Sequence, residues 1–457
     1  MENVQSNKMG TAPMFRLIIS MSLPAMFSML VQALYNVVDS YFVAQISEDA
    51  LTAVSLVFPI QTLLIAVAAG TGIGINSLVS RRLGEQRQEA ADSAASHGVV
   101  LALVSWVLFV LVGLFVTEPF FMLFTSDAGI AGMGADYMRI VCIASFGVFV
   151  EINLEKTLQA TGNMIYPMVF QLVGAITNMI LDPAFIFGFW FIPAMGVAGA
   201  AIATVIGQIF SMLVAIYVIA KKDHDVHISL RGFRVNWTTV KDIYAVGFPS
   251  IIMQSIGSVL VMGLNGILVT FSSTAVAVLG VYYKLQSFVF MPVFGLTHGV
   301  MPIMGYNFGA RNKQRLLSAL KIGCVVALVI MAFGTVLFWC APDWLLSIFN
   351  ASADMLSIGI PALRIISLCF IPAALGILFS TIFQAVGKGM YSLVISILRQ
   401  LVVILPVAYF LAKLGLGYVW YAFPIAELVS FIASLVLYYV LYQKQIRTLE
   451  QPIEMME

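Results

Sequence analysis

The chain has 457 residues, of which 61% are hydrophobic and 10% charged, with a formal net charge of +1. A soluble globular protein carries about 25% charged residues, so this composition excludes a soluble enzyme, a disordered protein and a nucleic-acid binder. The near-neutral total conceals a polarised layout.

A helix crossing a bilayer needs about 20 predominantly apolar residues. In chain order, six segments qualify at 14–44, 50–80, 93–117, 131–160, 166–190 and 194–220. Six more follow at 241–271, 275–305, 316–340, 356–385, 391–413 and 417–443. Several exceed a straight crossing, which predicts tilted helices or ends that project into water. The first apolar run is long and lacks a small-residue cleavage site, so the first helix is expected to be retained. Cys142, Cys324, Cys340 and Cys369 are far apart in apolar runs, with no CxxC pair and no histidines at ligand spacing. They read as core-filling thiols.

Charges in the loops set the orientation. With the N-terminus inside, 18 of the 23 Lys and Arg residues fall on inner segments and only Lys413 on an outer loop. Arg139, Lys284, Arg364 and Arg399 fall within spans. The expectation is a multi-pass protein of the inner (plasma) membrane with both termini in the cytoplasm.

The longest polar connector, 221–240, follows the sixth span and separates an N-terminal lobe, 1–220, from a C-terminal lobe, 241–457. Shifting the first lobe by 225 residues brings Pro24 onto Pro249, Gln61 onto Gln286, Gly70 and Gly74 onto Gly295 and Gly299, and Gly84 onto Gly309. Arg139 meets Arg364, Gln159 meets Gln384, Gly162 meets Gly387 and Tyr166 meets Tyr391. Both lobes start inside, so the repeat is parallel about an axis along the membrane normal. The predicted fold class is an all-α integral membrane protein, with twelve transmembrane helices in two six-helix lobes related by pseudo-two-fold symmetry. That is a transporter architecture.

Several motifs carry a family resemblance. The stretch Gln32-Ala-Leu-Tyr-Asn-Val-Val-Asp39 resembles the first-helix motif of multidrug and toxic-compound extrusion (MATE) proteins. Gly72 to Gly84 (GIGINSLVSRRLG), Gln159-Ala-Thr-Gly-Asn163 and Gly196 to Thr204 (GVAGAAIAT) are similar to further motifs of that family. In the second lobe, Gly299 to Ala310 (GVMPIMGYNFGA) and Gln384-Ala-Val-Gly387 match as well. The resemblance spans nearly the whole chain. It implies cation-coupled export of amphipathic, often cationic compounds.

Charged groups at membrane depth cost at least about 2.5–3.5 kcal/mol each and are functional hypotheses by default. The acids within spans are Asp39, Glu151, Glu155, Asp182 and Glu427. Asp39 shares a helical face with Asn36 and Gln32, and Asn178 and Asp182 are likewise four apart. Pro183 follows directly and frees a carbonyl one turn back. With a hydroxyl from Thr204, these groups make an oxygen-rich site for Na⁺ or H⁺. The bland alternative is that they only hydrogen-bond helices together. The resemblance adds that the corresponding positions in the DinF-like branch form the cation site, here Asp39, Asn178, Asp182 and Thr204. The second lobe departs from the NorM-like branch: it carries Gln254 in the seventh span where that branch has a glutamate-bearing pattern, and no acid in the tenth. Coupling is therefore expected in the N-terminal lobe.

Glu151 is expected to line the cleft, and Glu155 to be a solvated or paired helix-end group. Arg139 and Arg364, being repeated, suit a shared structural task; Arg399 and Glu427 suit a pair. Gln32, Tyr35, Glu151, Gln254 and Lys284 are the candidates for the substrate pathway. Met253, Met262, Tyr282 and Phe288 are weaker ones on spans expected to border the cleft.

The functional expectation is a multidrug antiporter using H⁺ or Na⁺, with no cofactor, no enzymatic activity and a single chain in the bilayer. The rival is a lipid-linked oligosaccharide or polysaccharide flippase, which would need cleft cations for pyrophosphate. A GxxxxGK[ST] loop, an HExxH motif and a Ser-His-Asp arrangement are absent from the sequence. The loop after the second span also lacks the GxxxDRxGRR pattern of major-facilitator transporters.

Overall fold

The computed structural model describes residues 7–222 and 224–449. Among them the regular structure is helical, with one isolated antiparallel bridge between Phe189 and Ile192 in a tight loop. The first six apolar spans are α1 (Met14–Ala44), α2 (Glu48–Gly84), α3 (Gln88–Phe124), α4 (Ala128–Ile143 with Phe146–Ala160), α5 (Ile165–Phe187) and α6 (Gly196–Lys221). The next six are α7 (Trp237–Leu268), α8 (Ser273–Gly309), α9 (Lys313–Cys340), α10 (Ala353–Ala385), α11 (Gly389–Ala412) and α12 (Leu416–Ile446). The three longest, α2, α3 and α8, have 37 residues each. At about 1.5 Å per residue such a helix outruns a hydrocarbon core of roughly 30 Å, as expected. Apolar side chains such as Leu108, Phe115, Phe333 and Val436 point outward, where the bilayer solvates them.

The fourth span is not a single rod. Its two helices meet at an angle of 46°. At the break, Ser145 Oγ donates to the Cys142 carbonyl at 2.7 Å, which competes with the helical ladder. The tenth span tightens into a 3₁₀ turn over Ser367–Cys369, where Ser367 Oγ donates to the Arg364 carbonyl at 3.0 Å. Hydropathy alone does not register either break, because the residues stay apolar through both.

The 225-residue offset governs geometry even where the residues differ. Ser47 and Ser272 cap α2 and α8 by accepting from the backbone N–H of Ala50 and Ala275. Asp127 and Ser352 cap the first segments of α4 and α10. Gln86 and Arg311 both take a left-handed φ of 57° in the loops after α2 and α8. Gly162 and Gly387 take φ of 87° and 84° at matching turns, a conformation glycine adopts without strain.

The compact units are bounded inside helices. One runs from Phe27 to Gln254, and the other comprises the chain as far as Met26 together with Ser255 onward. The segment from α7 that joins the first unit, and the segment from α1 that joins the second, are received in the same way. In the Phe27–Gln254 unit, a Cβ placed on Gly70 would stand 2.8 Å from the Ile251 backbone nitrogen, and one on Gly74 would strike the Ile243 carbonyl. In the other unit, a Cβ on Gly295 would stand 2.7 Å from the Met26 nitrogen, and one on Gly299 would stand 2.9 Å from the Ser22 nitrogen. The repeated glycines therefore exist to admit a neighbouring backbone.

The connector is tied down along α3. His227 N–H donates to Asp92 at 2.8 Å and Ser229 N–H to Ser96 at 3.1 Å. Asn236 N–H donates to His97 Nε2 at 2.8 Å, while His97 Nδ1 sits 2.7 Å from the Ser93 carbonyl. Asn236 in turn caps the start of α7 through Thr238 and Thr239. Of the cysteines, Cys142 and Cys369 fill the interior, Cys324 is half-buried and Cys340 is exposed at the end of α9.

Candidate functional site

The site lies within the Phe27–Gln254 unit, where α1, α5 and α6 present polar faces around a cavity of about 510 Å³. On α1 the wall carries Gln32, Tyr35 and Asn36, which follow one helical face. On α5 it carries Gly174 and Asn178, and on α6 Thr204, Gln208 and Ser211. The α5 and α6 backbones approach closely: a Cβ on Gly207 would stand 2.7 Å from the Gly174 carbonyl oxygen and 3.2 Å from Asn178 Cβ. Gly207→Val is accordingly expected to separate α5 from α6 and to lower the thermal unfolding midpoint of the protein in detergent clearly below the native value.

Asp182 is fully buried, and Asn178 and Thr204 are nearly so. With the Asn178 amide turned to satisfy both neighbours, Nδ2 donates to Asp182 Oδ2 at 3.0 Å. Its Oδ1 then accepts from Thr204 N–H at 3.0 Å and from Thr204 Oγ1 at 3.2 Å. The amide thus aims Asp182 and is itself held by α6. α5 continues helically through Pro183, which leaves the carbonyl one turn back without its helical donor. Asp39, one turn beyond Asn36 on α1, has a buried Oδ1 with no hydrogen-bond partner. Asp39 on α1 and Asp182 on α5 are the two carboxylates of this region. Among the described residues neither forms an ion pair, and no group of three or more His, Cys, Asp or Glu side chains has metal-binding geometry.

The expected site residues distribute as follows. Asn36, Gln32, Tyr35, Glu151, Asn178, Thr204 and Gln254 all border one cavity; Asp182 is not in its wall but accepts from Asn178, and Asp39 lies one turn beyond Asn36 on α1, also outside the wall. Lys284 belongs to the other unit, where its ammonium lies 5.8 Å from the centre of the Phe349 ring. Tyr282, also in that unit, is buried edge-on against Phe423, whereas Met262 and Phe288 are exposed. Arg139 pairs with Glu118, and Arg364 donates to the Trp339 carbonyl at 3.3 Å; both tie helix ends together. Arg399 and Glu427 do pair, at 3.4 Å.

Glu155 is the paired group of its two alternatives, and it is deeply buried. Lys156 Nζ lies 3.1 Å from Glu155 Oε1, and Gln159 donates to the same oxygen at 2.7 Å. Gln171 on α5 donates to Glu155 Oε2 at 3.0 Å. Gln171, Gln208 and Ser211 were not singled out by sequence. Gln208 and Ser211 follow Thr204 at spacings of four and seven, a periodicity that marks one helical face.

The MatE family profile matches residues 24–184 and again 249–410, well over half of the chain, with starts one 225-residue repeat apart. The chain belongs to the MatE family. It is 28% identical to the multidrug export protein MepA of Staphylococcus saprophyticus over 93% of this chain and 94% of that one. It is 25% identical to MepA of Staphylococcus aureus, over 94% of each chain. A solved structure described as the outward-facing conformation of a multidrug resistance MATE family transporter of the MOP superfamily is similar as well. It aligns with a TM-score of 0.90 at 27% identity, over 98% of this chain and 100% of that one. As a MatE chain with twelve apolar spans among the described residues, the bent fourth counted as one, this is a multi-pass membrane transporter.

Proposed function

We propose that this MatE chain exports amphipathic organic cations across the plasma membrane by antiport against H⁺ or Na⁺, through alternating access. The observation that carries the reading is the presence of two carboxylates without an ion-pair partner, fully buried Asp182 and half-buried Asp39, beside a cavity whose wall contains acids and amides but no lysine or arginine. Such a wall suits a cationic guest and offers no cation to a pyrophosphate, which argues against a lipid-linked oligosaccharide flippase. The naming of the staphylococcal relatives as multidrug export proteins supports the same cargo class.

The coupling ion is a second cargo. Asp39 and Asp182, with the oxygens of Thr204 and Asn178, would receive Na⁺, or the carboxylates alone would receive a proton. Either ion cancels charge that two adjacent carboxylates place in a poorly solvated site. Coupling follows only if the ion favours one conformational state over the other, so its arrival shifts the population that holds the drug. For protons, each pH unit of gradient supplies about 1.4 kcal/mol. The cytoplasmic ends in this reading are the two termini and the connector strapped to α3.

Vesicles reconstituted with the protein decide the matter when pH and sodium gradients are imposed separately. Efflux of a fluorescent cation under one gradient, and none without any, is the expected result. Efflux that ignores both gradients overturns the antiport reading.

A further inference from the structure

A second cavity, of about 420 Å³, lies in the same unit between α3, α4, the end of α6 and the start of the connector. Aliphatic side chains make its body: Val150 and Leu154 of α4 are buried, while Ile216 of α6 is exposed. The polar side chains of its wall, Lys222, His224 and His227, all belong to the connector, and among the described residues no acid lines it. The chain is folded tightly here. Lys222 N–H donates to the Val218 carbonyl at 3.0 Å, and His224 Nε2 lies 3.2 Å from the same oxygen with its ring edge-on to Tyr166. Asp92, the acid that holds this stretch, is taken by the His227 backbone N–H at 2.8 Å and by Gln88 Nε2 at 2.9 Å. Hydrocarbon walls thus adjoin a set of cationic and N–H-bearing side chains. The connector continues in the same character. It has no acid from Val226 to Lys241, and its exposed Arg231 and Arg234 interleave with exposed Leu230, Val235 and Trp237. Such a mixture of cations, aliphatic groups and an indole suits the headgroup layer of an anionic bilayer.

We propose that this cavity seats one anionic phospholipid from the leaflet that meets the connector, an acyl chain lying against the α4 and α6 side chains and the phosphate held by Lys222, His224 and His227. The ammonium and the imidazole N–H groups supply charge-assisted hydrogen bonds to phosphate oxygens, and the chain removes aliphatic wall from water. A zwitterionic phospholipid brings the same chains but also a cation of its own, which weakens the attraction. The seat is independent of the cargo and of the coupling ion.

The test is native mass spectrometry of the purified full chain in neutral detergent, titrated with dioleoyl phosphatidylglycerol or dioleoyl phosphatidylcholine. One phosphatidylglycerol is expected to bind about fivefold tighter or more than phosphatidylcholine, the ratio that a single lysine at a lipid surface supports. Lys222→Gln should remove most of that preference, and Lys222→Arg should keep it. Ala220→Phe, which fills the cavity from an exposed position on α6, should weaken both lipids. Arg231→Gln with Arg234→Gln should leave the preference in place, because those side chains are outside the cavity wall. Equal binding of the two lipids overturns the proposal, as does a preference that survives Lys222→Gln. A preference lost with Arg231 and Arg234 instead would mean diffuse surface attraction and overturn the seat, and unchanged binding in Ala220→Phe would do the same.

Discussion

Asp182→Asn abolishes export while leaving the protein folded in the membrane: that is the expected result, with efflux falling at least about a hundredfold, toward the empty-vesicle rate. The asparagine keeps the volume of the side chain in a fully buried position. It also keeps a carbonyl oxygen to accept from Asn178, which in the native site donates to Asp182 at 3.0 Å. What it loses is the capacity to gain and shed a positive ion, and with it any difference in ion affinity between conformational states. Asp39→Asn should give the same loss, since Asp39 Oδ1 has no structural hydrogen bond to forfeit. Dye efflux together with abundance in the membrane fraction checks both. Native efflux in either variant would remove that carboxylate from the coupling scheme.

The second large effect is on stability. Lys156→Met leaves Glu155 as a buried carboxylate held by two amides and no cation, where before an ammonium stood 3.1 Å away. Removing one partner of a buried pair costs about 3–5 kcal/mol, because the remaining charge keeps its desolvation penalty. Methionine preserves the hydrocarbon stem that packs beside Gly72, so lost volume is not the cause. Thermal unfolding in detergent should show a clearly lowered midpoint for this variant. The double variant Glu155→Gln with Lys156→Met should recover most of the loss, since the orphaned charge is then gone. A double variant no more stable than the single one would mean that the ammonium serves some other contact.

Much of this was legible in the sequence where the signal is local or periodic. The spans follow from hydropathy, and the polar group of Asn178 and Asp182 from a spacing of four. The cluster around Glu155 was not legible. Its members come from α4 and α5, and Gln171 stands sixteen residues from Glu155 with an intervening turn, so no periodicity links them. The bend in α4 was hidden because a serine hydroxyl turned onto its own helix leaves hydropathy unchanged. The glycine pairs were visible as a repeat, but their purpose was not. Gly70 and Gly74 meet residues 243–251, and Gly295 and Gly299 meet residues 22–26, so each explanation lies in the opposite half of the chain.

That exchange of helix ends has a consequence for biosynthesis. The unit bounded by Phe27 and Gln254 has all its parts once the ribosome has made the seventh helix, well before the chain is finished. The other holds the earliest residues and the latest, so its glycine groove in α8 is synthesised long after the segment it must grip. The opening stretch of the first helix therefore waits in the bilayer without its lasting neighbours through most of translation. Two half-genes cut at the connector should yield fragments that mature only when made together.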